Sequence, residues 1–257
     1  MSEREIERGF RERFQQAHAR EQHIAGLLDR AGDGLHPDQG VCIVLAAVPA
    51  ELLRGEASFT HENALTYLNL RPPPRFVAGY APSWQRWDTG QVRKGLRQWV
   101  IRSNTDTTEA YRKALHDDGT VLAGYRLGGL RDDERAAAWT PVGQLNHCVS
   151  GDVEAALIDF TAILRKYAQE RGVHGGYRVR VGLVGREGSP LYIQTREEHA
   201  GYLQPEDSAE AIRRFELVTI DLDPLAGGDE LVQTMGDLAR DVINQGGVRD
   251  LRIIAEP

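Results

Sequence analysis

Apolar residues return along this chain in two rhythms, one helical and one extended, and the switches between them outline its elements. Over residues 3–31, Ile6, Phe10, Phe14, Ala17, Ile24, Leu27 and Leu28 recur at steps of three, four and seven, with arginine and glutamate filling the gaps. That spacing predicts one long amphipathic helix. Ser2 with Glu5 three residues on has the form of a capping box, and Gly32 and Gly34 provide a stop. The stretch 40–49, GVCIVLAAVP, is continuously apolar and of strand length. It predicts a buried strand between the helix and the rest of the chain.

A short helix is expected over 61–70, started by Thr60 and stopped by the run Arg71-Pro72-Pro73-Pro74. Strand patterns follow at 76–80, 96–102, 110–116 and 120–127, the last two flanking Asp117-Asp118-Gly119, a hairpin signal. A second strong helix covers 152–171, with Val153, Ala156, Leu157, Phe160, Ile163, Leu164 and Tyr167 on one face, Ser150 or Asp152 as cap and Gly172 as stop. Strands at 177–184, 190–195 and 215–222, a helix at 229–245 and a last strand at 251–254 complete the pattern. Strands cluster and outnumber helices, which favours an α+β fold. The expected architecture is a mixed, largely antiparallel sheet packed by the long N-terminal helix and two further helices. It forms a single domain over 1–257, with a compositional break at 131–140 where subdomains 1–130 and 141–257 could meet.

Composition narrows the function classes. The 257 residues are 41% hydrophobic and 27% charged, with a net charge of −7, as in ordinary globular proteins. The longest apolar run is about half the roughly 18–20 residues of a membrane span, so no membrane partner is expected. The charged start lacks an apolar signal region and only Cys42 and Cys148 could pair, so a reducing, cytoplasmic setting is expected.

Candidate chemistry is sparse. No phosphate-cradling P-loop, nucleophile elbow, HExxH or CxxC spacing occurs, and neither a catalytic residue nor a cofactor is expected. Asp221 and Asp223, two apart on an extended segment, point the same way and could grip a divalent cation; a strand end running into a Pro224 turn explains them better. Adjacent His147 and Cys148 suit a loop better than a nucleophilic pair. Arg86, Arg93, Lys94, Arg97 and Arg102 interleave with Trp84, Trp87 and Trp99, the mixture with which single-stranded nucleic acid is held by stacking and charge. A solvated strand face with anchoring tryptophans has the same composition, and the acidic balance of the whole chain opposes polyanions at long range. The helical stripe Ile6, Phe10, Phe14, Ile24 and Leu28 could serve as an interaction or homo-oligomer surface, or lie on the chain's own sheet.

The order of these segments also carries a resemblance. EREIERGFRERFQQAHAREQHIAGLL, VCIVLAAVP with its Val48-Pro49 ending, LRQWVIRS, LHDDGTVLAGYRL and ALIDFTAILRKYAQERG resemble the region that follows the Schlafen AlbA-type domain in actinobacterial multidomain proteins. Residues 9–14, GFRERF, match that region's xAYRxRF helix, and the likeness spans most of residues 3–185. The AlbA-type domain itself is associated with DNA or ATP binding, and its acidic E-F-K strand motif is absent here. The resemblance therefore implies a non-enzymatic accessory or regulatory module whose partner is another subunit or domain of AlbA type. It assigns no nucleic-acid or nucleotide chemistry to any residue of this chain. A metal-dependent hydrolase or nucleotide-processing enzyme using Asp221 and Asp223, and a single-strand binder using 84–102, remain as alternatives.

Overall fold

A computed structural model describes residues 23–24, 26–55, 60–70, 72–78, 87, 90–103, 110–128, 146–196, 203–204 and 210–255. The fold is α+β. A seven-stranded, antiparallel sheet has the order β10-β7-β1-β5-β4-β3-β2. Its strands are β1 (Cys42–Pro49), β2 (Gln91–Gly95), β3 (Gln98–Arg102), β4 (Tyr111–His116), β5 (Val121–Arg126), β7 (Tyr177–Val184) and β10 (Val218–Leu222). A smaller sheet joins β6 (His147–Val149), β8 (Tyr192–Arg196) and β9 (Leu203–Gln204), with β6 and β8 parallel. The principal helices are α1 (His61–Leu68), α2 (Ser150–Arg171) and α3 (Gly228–Ile243).

β1 is central because it is apolar on both sides. All eight residues are buried, and it pairs antiparallel with β5 on one flank and β7 on the other. Strands from both sides of 131–140 therefore share one sheet. Ile43, Leu45 and Ala47 belong to the larger core, with α1, α2 and α3. Cys42, Val44, Ala46 and Val48 belong to a second core, with Ile24, Leu27, Leu28, Ala31 and Leu35. Two-sided burial explains why the run does not alternate.

The long helix expected over 3–31 is not borne out as a whole. Residues 1–22 lie outside the described residues, and the described helical turns run over 23–24 and 26–31. They end where Gly32 N–H donates to the Leu28 carbonyl. These turns pass so close to β5 that a Cβ on Gly124 would sit 2.3 Å from the Ala31 carbonyl oxygen. Only glycine permits that approach.

Other boundaries moved for local reasons. Thr60 does cap α1, its hydroxyl accepting from Asn63 N–H at 3.2 Å. For α2, Val149 is the N-cap residue and no side chain caps it; Ser150 is already helical. α2 is buried around most of its circumference, including Ala155, Ile158 and Ala162 off the expected stripe. The expected strand at 96–102 is the second half of a hairpin: β2 and β3 turn at Leu96 and Arg97, the latter with φ 54°. The strand expected at 76–80 is instead a 3₁₀ turn, Pro74–Phe76, followed by an isolated bridge from Val77 to Ile254. Glu154, buried in α2, fastens that C-terminal segment by accepting backbone N–H bonds from Arg252, Ile253 and Ile254 at 2.7–3.0 Å. Burial pushes its carboxyl up, and the three N–H bonds and Arg252 pull it down.

Candidate interaction face

Because successive side chains alternate, the register of the large sheet sorts its charged residues onto two faces. The face toward α2 encloses a buried polar network. Lys113 on β4 is 1% exposed and Asp159 on α2 is 4% exposed; Lys113 Nζ lies 2.9 Å from Asp159 Oδ2 and donates to the Leu68 carbonyl at 3.1 Å. Tyr125 Oη donates to the same carboxylate oxygen. The ammonium also stands 5.4 and 5.7 Å from the ring centroids of Tyr111 and Tyr125. Burial, and then the Asp159 charge, push the Tyr125 hydroxyl well above its ordinary range. Trp87 packs on Tyr125 with 4.4 Å between centroids, and Gly90 N–H donates to Tyr111 Oη at 2.6 Å. Sequence reasoning missed this network. Its signals were a lysine at an inward position of the alternation Tyr111, Lys113, Leu115 and an aspartate between Ile158 and Phe160.

The opposite face is partly covered by Ile24, Leu27, Leu28, Ala31 and Leu35 and bears arginines at both ends. On one side β7 aligns Arg178, Arg180 and Gly182 with Val48, Ala46 and Val44 of β1. On the edge strand β10, Asp221 and Thr219 stand opposite Arg178 and Arg180. Arg178 Nη1 pairs with Asp221 Oδ2 at 2.9 Å, and Arg180 Nε donates to Thr219 Oγ1 at 3.0 Å. Leu217, 51% exposed, lies over Gly182, where a Cβ would come within 2.8 Å of its side chain; Val184, two residues further along β7, is 37% exposed. This end of the face thus exposes apolar side chains bordered by charge beside β10, the edge strand of the sheet among the described residues.

On the other side, β4 and β3 place Arg112 directly opposite Arg102, and β3 and β2 place Val100 opposite Arg93. Arg112 Nη1 donates to the Arg30 carbonyl at 2.9 Å. Burial holds the Arg112 guanidinium below its usual range; Asp33 pulls it up and Arg30 and Arg102 push it down. His116, 9% exposed, falls to about 4, first through burial and then through opposing contributions in which Asp118 and Asp117 raise it and Arg30 and Arg112 lower it.

The residues singled out from sequence are dispersed by this geometry. Trp84 and Arg86 lie outside the described residues. Trp87 and Trp99 are 2% and 6% exposed and belong to the larger core, so their ring faces are occupied and cannot stack on bases. Lys94 stands opposite Trp99, its ammonium 5.8 Å from the ring centroid. Arg93 is on the other face, and Arg97 is in the turn. The basic-aromatic stretch is therefore not one surface: alternation splits it. Asp221 is engaged by Arg178, and Asp223 Oδ1 accepts Leu225 N–H at 2.9 Å, as an aspartate opening a turn does. Among the described residues no group of three potential metal ligands is assembled.

Of the interaction stripe, Ile6, Phe10 and Phe14 lie outside the described residues. Ile24 and Leu28 are 0% and 6% exposed within the second core, so they are spent on the chain's own sheet. Cys42 and Cys148 are free and buried; burial pushes the Cys42 thiol up to about 12 and Cys148 higher still. His147, next to Cys148 on β6, is 2% exposed. Among the described residues no helix is long and apolar enough to cross a membrane. No family model, curated protein or solved structure matches the chain.

Proposed function

We propose that the chain is a non-enzymatic interaction module that works through another protein domain, an AlbA-type domain in the reading its segment order suggests. The observation that carries this is the end of the sheet formed by β7 and β10. Leu217 and Val184 are exposed apolar side chains on one face, next to a sheet edge and bordered by Arg178, Arg180 and Asp221. An apolar centre with a polar rim is the anatomy of a protein-binding patch, and the edge strand can lend its backbone groups to a partner. The buried chemistry favours the same reading, because Lys113, Asp159 and Tyr125 satisfy one another.

The test is titration calorimetry of the full chain against the AlbA-type domain encoded nearest to it in its own genome. Saturable binding is expected, with Leu217→Asp weakening it at least about tenfold, the scale of one buried contact of about 1.4 kcal/mol. Absence of binding, or binding unchanged by Leu217→Asp, overturns the proposal.

A further inference from the structure

The register of the large sheet determines which backbone groups β10 turns outward. Ala50 N–H donates to the Gly176 carbonyl, one step beyond the pairing of Pro49 with Tyr177. On the other flank of β1, Leu127 N–H donates to the Val41 carbonyl, which sets the same phase. Along an antiparallel strand, residues bonded to one neighbour alternate with residues bonded to the other. Arg178 and Arg180 therefore turn their backbone groups to Val48 and Ala46 of β1. Tyr177, Val179 and Val181 turn theirs to Leu222, Ile220 and Val218 of β10. What remains is Thr219 and Asp221. Their N–H and C=O groups point away from β7, at the edge of the sheet among the described residues.

The side chains at these two positions complement each other. Asp221, its side chain 79% exposed, is held by Arg178 through Oδ2. Thr219 Oγ1 accepts from Arg180 Nε, and a hydroxyl that accepts still has its own proton to donate. On the core side, Val218 and Ile220 are partly buried and Leu222 is buried.

We infer that the β10 edges of two copies of this chain pair antiparallel about a two-fold axis at Ile220. That register sets Thr219 against the partner's Asp221, and each such opposed pair exchanges both N–H···O bonds. Arg180, Thr219, the partner's Asp221 and the partner's Arg178 then follow one another along one face, with the hydroxyl donating to the carboxylate. On the other face Ile220 meets the partner's Ile220 and Val218 meets the partner's Leu222, apolar against apolar. Moving the register by two residues opposes Asp221 either to Leu217 or to the second Asp221, and the complementarity is lost. A contact of this kind closes after two subunits and covers an edge that would otherwise recruit other strands. The inference rests on the reading of this sheet end as a docking surface and names what occupies its edge when no other domain does.

The experiment is sedimentation equilibrium of the full chain alone over a concentration series. Two variants accompany it: Thr219→Asp, and the exchange that combines Thr219→Asp with Asp221→Thr. The weight-average mass of the parent should climb reversibly from one chain toward two, with a micromolar dissociation constant, as a small interface gives. Thr219→Asp keeps a partner for Arg180 within its own chain but opposes carboxylate to carboxylate across the axis. It should weaken association at least about tenfold. The exchange restores carboxylate opposite hydroxyl and should return the dissociation constant to within about threefold of the parent's. Urea midpoints equal to the parent's show that both variants fold. A parent that stays monomeric over the series, association unchanged in Thr219→Asp, or an exchange variant as weak as Thr219→Asp overturns the inference. Self-association is read without the AlbA-type domain, and domain binding in its own titration. A dimer that ignores the domain upholds this inference and overturns the docking proposal; a monomer that binds the domain does the reverse.

Discussion

Replacing Lys113 with methionine would expose how the larger core depends on the buried ion pair that Lys113 forms with Asp159. The ammonium and the carboxylate are both almost fully enclosed and 2.9 Å apart. Lys113→Met preserves most of the side-chain volume but leaves the Asp159 carboxylate buried with the Tyr125 hydroxyl as its partner. Removing one member of a buried pair costs about 3–5 kcal/mol. Set against a usual total of about 5–15 kcal/mol, that is a large share of the stability. With a urea slope of about 3 kcal/mol/M the midpoint should fall by roughly 1–1.7 M. Asp159→Leu alone should cost a similar amount, since it strands the ammonium and the Tyr125 hydroxyl. The triple change Lys113→Met, Asp159→Leu, Tyr125→Phe removes the paired charges and the Tyr125 hydroxyl, leaves the Leu68 carbonyl without the Lys113 donor, and should return to within about 1–3 kcal/mol of the parent, because the apolar replacement of a buried pair is often neutral and one unmet acceptor costs about 1–3 kcal/mol. Urea unfolding followed by circular dichroism and by tryptophan emission is the assay, and Trp87 on the Tyr125 ring gives the second probe a local reporter. A loss below about 1 kcal/mol in Lys113→Met, or a triple variant as unstable as the sum of its parts, refutes this account of the network.

Two other regions give direct outcomes. His116 is held neutral, its pKa falling from 6.5 to about 4; below pH 6.5 the unfolded chain takes up a proton that the folded chain refuses. Stability should therefore fall as the pH drops from 6.5 to 4, by about 2 kcal/mol at pH 5 from this group alone, and His116→Gln should flatten that part of the pH profile measured by denaturant unfolding. Glu154→Ala strands the amides of Arg252, Ile253 and Ile254. It should cost at least about 3 kcal/mol, and hydrogen exchange should show those amides losing protection before the rest of the sheet.

Most of the framework could be read from periodicity. β1 announced itself by continuous apolarity, the β4–β5 hairpin by Asp117-Asp118-Gly119, and α3 by its single stripe. Context outside the local pattern decided the rest. β2 is exposed along most of its length, so it carries no apolar alternation to find. β6 is three residues long, and only its parallel pairing with β8 makes it a strand. The basic-aromatic stretch looked like one surface because composition ignores which way side chains point; the register puts Arg93 and Lys94 on opposite faces. The opposition of Arg102 and Arg112 was equally hidden, since it needs the pairing of β3 with β4. Ile24 and Leu28 looked available for a partner only while their place on β1 was unknown.

The docking proposal is tested most directly by hydrogen exchange on the full chain, alone and with the neighbouring AlbA-type domain at saturating concentration. Binding should slow exchange across 178–184 and 217–222, where Arg178, Val184, Leu217 and Asp221 frame the open end of the sheet, and Leu217→Asp should abolish that protection. Unchanged exchange at β7 and β10, or protection confined to another part of the chain, would contradict the account.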